Sequence, residues 1–472
     1  YDEGTVIATG ADRSQLPDAG APPAADFPEV ERATLPNGLE ILLARRDAIP
    51  VVNLRMVVDA GYASDAGGLA GTANLAMSML DEGTESRNAL EISEELQRLG
   101  ATLFSGSNLD VSSVTMSALT ENLDGSLDLF ADVVLNPSFP QADFERLRRQ
   151  TLAGIQQEFV QPVAMALRVM PKLMYGEDHP YSLPLTGSGT TESVDALTTE
   201  HLRSFHDTWF KPNNAKLIVV GNTTMGEITA LAERAFAGWQ PGDVPDKALP
   251  EVDHQEGQAI YIMDRPEAIQ SVIFAGHIAP PRSDPDDIAL STMNTVLGGD
   301  FTARMNMNLR EDKHWSYGAQ TLVFDARGQR PFIVFAPVQS DRTVESVQEI
   351  VSELEGIVGP RPVTAEELDR AVRSRTLTLP GSWETNGSVL GDIAEMEQFE
   401  LPDDYFDTLA ERIRGMSLEQ VNAVARRVIA PDRVIWVVVG DKASIQEGLQ
   451  GLGLGPVYEI DADGNILGRL VS

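Results

Sequence analysis

The 472-residue chain contains no cysteine. That excludes disulfides, thiolate metal sites and a cysteine nucleophile, and it leaves the compartment open. Basic residues are scarce: 36 Lys and Arg stand against 71 Asp and Glu, for a formal charge of −35. Such a surface repels nucleic-acid phosphates and anionic lipid headgroups, so neither is expected as a partner. It suits a very soluble protein that meets cationic peptides. No apolar run approaches the ~18 residues that a membrane helix needs; Val434–Val439 is about the longest and is strand-sized. Histidines number six: His179, His201, His206, His254, His277 and His314. His201 and His206 lie about 140° apart around a helix and cannot chelate one ion from one face. None has the spacing of a self-contained zinc helix, so all six read as surface or supporting residues. No Gly-x-Ser-x-Gly elbow is present. Gly298-Gly299 lacks the Lys-Ser/Thr of a phosphate loop and reads as a helix end with a sharp turn.

What is present is enough apolar content, 42%, for large cores, and a length that suggests about three domains or two large ones. The chain starts at Tyr1 rather than Met, and an upstream segment is expected, either a signal peptide or a longer preceding stretch. Residues 1–28, rich in Ala, Pro, Gly and Asp, read as a linker or extended arm, and equally as a frayed terminus. Asn37-Gly38 marks a tight hairpin turn before the strand Leu39–Ala44, and Val51–Val58 is a β-branched strand. Gly67–Leu80, Asn88–Leu99, Leu123–Leu135 and Gln141–Val160 have helical spacing. Ala101–Leu119 alternates polar and apolar residues, as a long strand pair or an edge strand does.

An internal repeat organises the chain. Leu202–Phe210 reads as a helix, followed by Lys211-Pro212-Asn213-Asn214 and the strand Leu217–Gly221. Val421–Ile429, Ala430-Pro431-Asp432-Arg433 and Val434–Gly440 repeat that order, with Pro212 and Pro431 each nine positions before a glycine. Proline stops each helix and a turn feeds a buried strand. The expectation is an α+β protein of two similar domains, each a mixed, mostly antiparallel sheet with helices packed on one face. The boundaries are placed at 29–240 and 257–455, with an interdomain linker at 241–256 and a C-terminal tail at 456–472.

Three stretches carry a family resemblance. They are Leu35-Pro36-Asn37-Gly38-Leu39, Val57–Tyr62 and Gly71–Thr84, joined downstream by Leu297–Arg304, Leu309-Arg310-Glu311 and Ser316-Tyr317-Gly318. From about residue 28 to 455 the chain resembles the pitrilysin/insulinase peptidases, and within them the mitochondrial-processing-peptidase-type branch. The resemblance implies two similar α+β domains, as the repeat does. It also implies a zinc helix, His-x-x-Glu-His, with a distant Glu ligand. Registered on Gly83-Thr84, the first His position holds Asn74, the Glu Met77 and the second His Ser78. The distal ligand position falls at Gly154, or with a small shift at Glu158. Both imidazoles and the general base are missing, and one carboxylate cannot hold zinc alone. No cofactor is therefore expected in this chain, and no peptidase activity of the chain by itself.

Arg310 and Tyr317 match an Arg/Tyr pair that the second half of such an assembly directs at the scissile region. A guanidinium and a phenol can donate to a carbonyl that becomes an oxyanion. Without the resemblance, Arg310 reads as a charge near a helix C-terminus and Tyr317 as a core aromatic. The implied assembly is a heterodimer in which a homologous zinc-bearing half, a separate subunit or an upstream part of the same precursor, carries the metal. Unfolded peptides in a closed chamber are its expected substrates and the bacterial periplasm its expected compartment. Ser105–Met116, with Ser105, Ser107, Asn108 and Ser112, is a candidate for binding an extended peptide as an added strand, or an ordinary sheet strand. The rival reading is a non-enzymatic scaffold or peptide-binding subunit of a larger complex.

Overall fold

The structure is a computed structural model that describes residues 26–470. Most of the 1–28 arm therefore lies outside the described residues. Two sheets organise the rest. The first contains β1 (Val30–Thr34), β2 (Glu40–Arg45), β3 (Val51–Val58), β4 (Thr102–Ser107), β5 (Ser112–Leu119) and β6 (Ala215–Gly221), in the order β1-β2-β6-β3-β5-β4. The second contains β7 (Ala259–Asp264), β8 (Gln270–Ala279), β9 (Gln320–Val323), β10 (Arg330–Gln339), β11 (Ile435–Gly440), β12 (Val457–Ile460) and β13 (Ile466–Leu470), in the order β13-β12-β7-β11-β8-β10-β9. β2 and β6 run parallel, as do β7 and β11; β3 and β8 pair antiparallel with their neighbours. This is the mixed α+β architecture expected from the repeat.

A shift of 219 residues carries β2 onto β7, the Thr199–Trp209 helix onto Leu418–Val428, and the turn Pro212–Asn214 onto Pro431–Arg433. The two halves differ at one margin. Beside β2 lies β1, whereas β12 and β13 flank the corresponding β7. The segment read as a C-terminal tail thus supplies two strands of the second sheet. Val457 and Ile460 are buried there, and that burial is what docks the hairpin.

Helices of each half cover one face of its own sheet. The other face is covered by a helix from the opposite half, which the single-face expectation did not include. The Pro162–Tyr175 helix lies on β8 and β11; the Asn386–Gln398 helix lies on β3 and β6. The central strands are accordingly apolar on both faces, and every residue of β11 (Ile-Trp-Val-Val-Val-Gly) is buried. Val389, Leu390 and Ile393 pack with Leu42, Val57, Ile218 and Val220 of the first sheet. The same helix stays tied to its own half through Glu395, which accepts from Arg282 Nε at 3.0 Å.

The turns of the two sheets also meet. Asp110, in the β4–β5 turn, accepts from Tyr181 Oη at 2.5 Å and from the Arg327 backbone N–H at 2.9 Å, in the β9–β10 turn. The Arg327 guanidinium reaches Asp59 at 2.6 Å. The connecting stretch 241–256 has no regular secondary structure, and Lys247 pins it to the first half through Asp59 and the Asp110 carbonyl.

Replacing Ile393 with alanine empties a fully buried position between the halves. Urea unfolding should show a loss of about 2–5 kcal/mol. A loss below ~1 kcal/mol would show that the crossing helix contributes little to holding the halves together.

Candidate functional site

The helix Thr72–Ser78 begins at Gly71, whose positive φ ends the preceding loop. No side chain of Gly71 can cap it. Asp65 does so from a distance, accepting from Gly71 N–H at 2.9 Å and Ala73 N–H at 3.0 Å. Burial pushes the Asp65 carboxyl up to about 7, against the pull of the Ala73, Gly71 and Thr72 N–H groups.

Each residue at the ligand and base positions of the zinc motif that the resemblance implies has another partner. The Asn74 amide donates to the Gly187 carbonyl at 2.8 Å. Gly187 has φ +67°, and a Cβ there would fall 2.3 Å from that amide nitrogen, so only glycine lets the loop approach so closely. Met77 is fully buried in the main core. Ser78 is exposed and returns its hydroxyl to the Asn74 carbonyl at 2.8 Å.

Gly154 lies on the exposed side of the Gln141–Glu158 helix, and a Cβ there would meet nothing within 4 Å. Space for a carboxylate exists; the residue to fill it does not. Glu158 is no substitute, because it is paired with the buried Arg168 at 2.6 Å and accepts from Ser188 at 2.8 Å. Arg168 in turn donates to the Gly189 carbonyl and stacks over Phe159. Among the described residues, no cluster of three His, Cys, Asp or Glu side chains could hold a metal ion. An amide, a thioether and a hydroxyl do not fit zinc, so no chemistry here runs through it.

Three of the six histidines are buried rather than surface residues. His179, His206 and His277 each bond a backbone carbonyl. Desolvation lowers the affinity of all three for a proton, that of His277 to about 4. They work as neutral hydrogen-bonding core residues.

Ala101–Leu119 is a hairpin, not one strand through Ser105–Met116. β4 is the sheet edge and β5 an interior strand. Of the four candidates for adding a peptide strand, Ser105 and Ser107 lie on that edge, Asn108 in the turn, and Ser112 on a strand already paired on both sides. Ser105 donates to the Met77 carbonyl at 2.8 Å, so it links the edge strand to the Thr72–Ser78 helix. Ser107 and Ser112 bond each other at 2.7 Å, and Ser112 is fully buried. Asn108 holds the turn by accepting from the Asp110 and Val111 N–H groups. What stays available is the outer backbone edge of β4, which carries neither charge nor proline to guard it, and Phe104, 74% exposed.

In the second half, Arg310 lies on a π-helical turn, Met307–Asp312. Its guanidinium sits 4.6 Å from the centroid of the Phe301 ring and 3.3 Å from Glu311. Tyr317 is 87% exposed, which removes the core-aromatic reading. Its turn is strapped by Ser316, which donates to the Pro337 carbonyl at 2.6 Å. Gly298 permits the close packing of this region: a Cβ would meet the Thr321 backbone nitrogen at 2.5 Å. Sequence reasoning missed Phe301, whose placement under Arg310 has no short-range spacing signal.

The insulinase (peptidase family M16) model matches residues 40–184, and the model described as the peptidase M16 inactive domain matches 196–375. The chain belongs to the M16 peptidase family. It is 25% identical over 402 residues to an uncharacterized zinc protease of Mycobacterium leprae, covering 84% of this chain and 89% of that one. Zinc protease PqqE of Helicobacter pylori is 22% identical over 377 residues, covering 78% and 83%. Among solved structures, a peptidase M16 inactive domain from Pseudomonas fluorescens superimposes with a TM-score of 0.81 at 24% identity, covering 87% of this chain and 98% of that chain. A Helicobacter pylori protease gives 0.81 at 19% identity, covering 88% and 100%. These structures share the fold of this M16 chain.

Two measurements test the site. Metal analysis of the isolated, dialysed chain should find well under one equivalent of zinc; one equivalent bound at the Thr72–Ser78 helix would overturn the reading of Asn74, Met77 and Ser78. The second concerns Asp65. Its folded-state pKa is raised, so between about pH 4 and 7 the native state holds a proton that the unfolded state has lost. Stability therefore falls as pH rises through that window. Urea unfolding at pH 4.5 and 7.5 should show this component in the wild type, and Asp65→Asn should lack it.

Proposed function

We propose that this M16 chain is the zinc-less half of a zinc-dependent endopeptidase, in which a homologous half carries the metal. This chain would supply substrate-binding and transition-state-stabilising groups to the shared site. One contrast carries the reading. The residues at the zinc-motif positions are taken up by hydrogen bonds and core packing, whereas Arg310 and Tyr317 leave polar groups exposed. A residue kept for packing would be buried; Tyr317 is not. The guanidinium and the phenol are the donors that a developing oxyanion needs.

The unguarded edge of β4 supports a second contribution. An extended peptide can add there through backbone hydrogen bonds, with little demand on its sequence. The chain's charge of −35 favours cationic peptides over acidic ones.

The test is peptide cleavage by the complex co-purified from the native source, with its zinc content and mass checked in parallel. Arg310→Ala should lower the rate by about 10²–10³-fold, the usual cost of an oxyanion donor. Tyr317→Phe should cost less, and the double variant less than the product of the two. If both variants assemble, retain zinc in the partner and cleave at the wild-type rate, the pair is structural and a scaffold role is favoured.

A further inference from the structure

Resting on that reading of Arg310, we propose that Phe301 is a positioning residue that holds the Arg310 guanidinium over its ring face, ready for the peptide carbonyl. An arginine with more than a third of its side chain exposed has many rotamers, and ordering them at the moment of reaction has an entropic cost. Two contacts oppose that freedom. Glu311 is the next residue in the chain, at 3.3 Å, with both partners well exposed, so its hold is weak. The Phe301 face, 4.6 Å from Arg310 Cζ, provides the directional one.

The platform itself is fixed. Phe301 is 59% exposed, so burial does not hold its ring, but a hydrogen bond holds its backbone. The buried Asn306 donates to the Phe301 carbonyl at 2.7 Å and accepts from the Ala319 N–H at 3.2 Å. One amide thus ties the platform under Arg310 to the segment two residues beyond Tyr317. On the preceding side, Asp300 accepts from the Thr302 N–H and from Ser374, both at 2.9 Å. The π-helical turn between them displays Arg310. Phe301 and Asn306 therefore belong to one frame that sets where the pair can reach.

The experiment compares Phe301→Leu, which keeps apolar bulk and removes the π face, with Phe301→Trp, which enlarges that face. In the co-purified complex, Phe301→Leu should lower kcat about two- to five-fold, the range of a half-exposed cation–π contact, with KM unchanged. Phe301→Trp should match the wild type, and Phe301→Leu should add nothing to Arg310→Ala. In the isolated chain, the Arg310 Hε resonance should sit upfield through the ring current, move downfield in Phe301→Leu and stay upfield in Phe301→Trp. A wild-type kcat for Phe301→Leu beside an impaired Arg310→Ala overturns the proposal. So does a Phe301→Trp variant as slow as Phe301→Leu, which would mean packing alone. A resonance that ignores Phe301→Leu removes the stacking itself, whereas an Arg310→Ala variant of wild-type rate removes the underlying reading of the pair.

Discussion

Each sheet has two apolar faces and only enough helices in its own half to cover one. The Pro162–Tyr175 helix leaves its half to cover the second sheet, and the Asn386–Gln398 helix leaves the other half to cover the first. This exchange couples the halves more firmly than a flat interface would, because neither sheet can shed water from its second face alone. Buried ionic and hydrogen-bonding groups then specify the register. Asp110, Tyr181 and Arg327 join the two hairpin turns, and Arg282 with Glu395 anchors a crossing helix at its base. Such groups add little net stability when satisfied but make misalignment costly, since a slipped arrangement would strand a buried charge.

On that frame, the two regions that the family resemblance singles out are built in opposite senses. The Thr72–Ser78 helix lies beside the edge strand and the 185–189 loop, and its side chains serve the fold. Asn74 holds the loop, Met77 fills the core, and Glu158 and Arg168 form a strut nearby. The 301–319 segment does the reverse. Its backbone is strapped by Asn306 and Ser316 while Phe301, Arg310 and Tyr317 face outward. A strapped backbone that displays exposed polar groups is what the proposed role would require, because positioning limits what an oxyanion donor can contribute.

Much of this was legible in the residue order. The 219-residue repeat, the proline that ends each helix, and the run Val434–Val439 point to two like halves with buried central strands. That Asn74, Met77 and Ser78 stand at the His, Glu and His positions of the zinc motif the resemblance implies, with Gly154 or Glu158 at the distal one, needs no coordinates once the motif is registered. Other expectations changed because of burial and pairing that no local pattern encodes. Ser112 reads as a candidate for peptide binding but is sealed between β3 and β4, and Glu158 reads as an alternative distal ligand but is paired with Arg168, ten positions away on the next helix. The final strands β12 and β13 are short and carry turn residues between them, so they resemble a tail until β7 offers an edge.

The sequence by itself determined the two-fold repetition and, through the family resemblance, which residues stand at the motif positions: Asn74, Met77, Ser78, Gly154, Arg310 and Tyr317. Only the tertiary structure decided which sheet each crossing helix covers, which polar side chains are already occupied, and that Phe301 lies beneath Arg310. Those facts arise from contacts between segments distant in the chain or turned toward each other by irregular backbone. Such contacts are chosen by the global burial of apolar surface, and no short window of sequence records that choice.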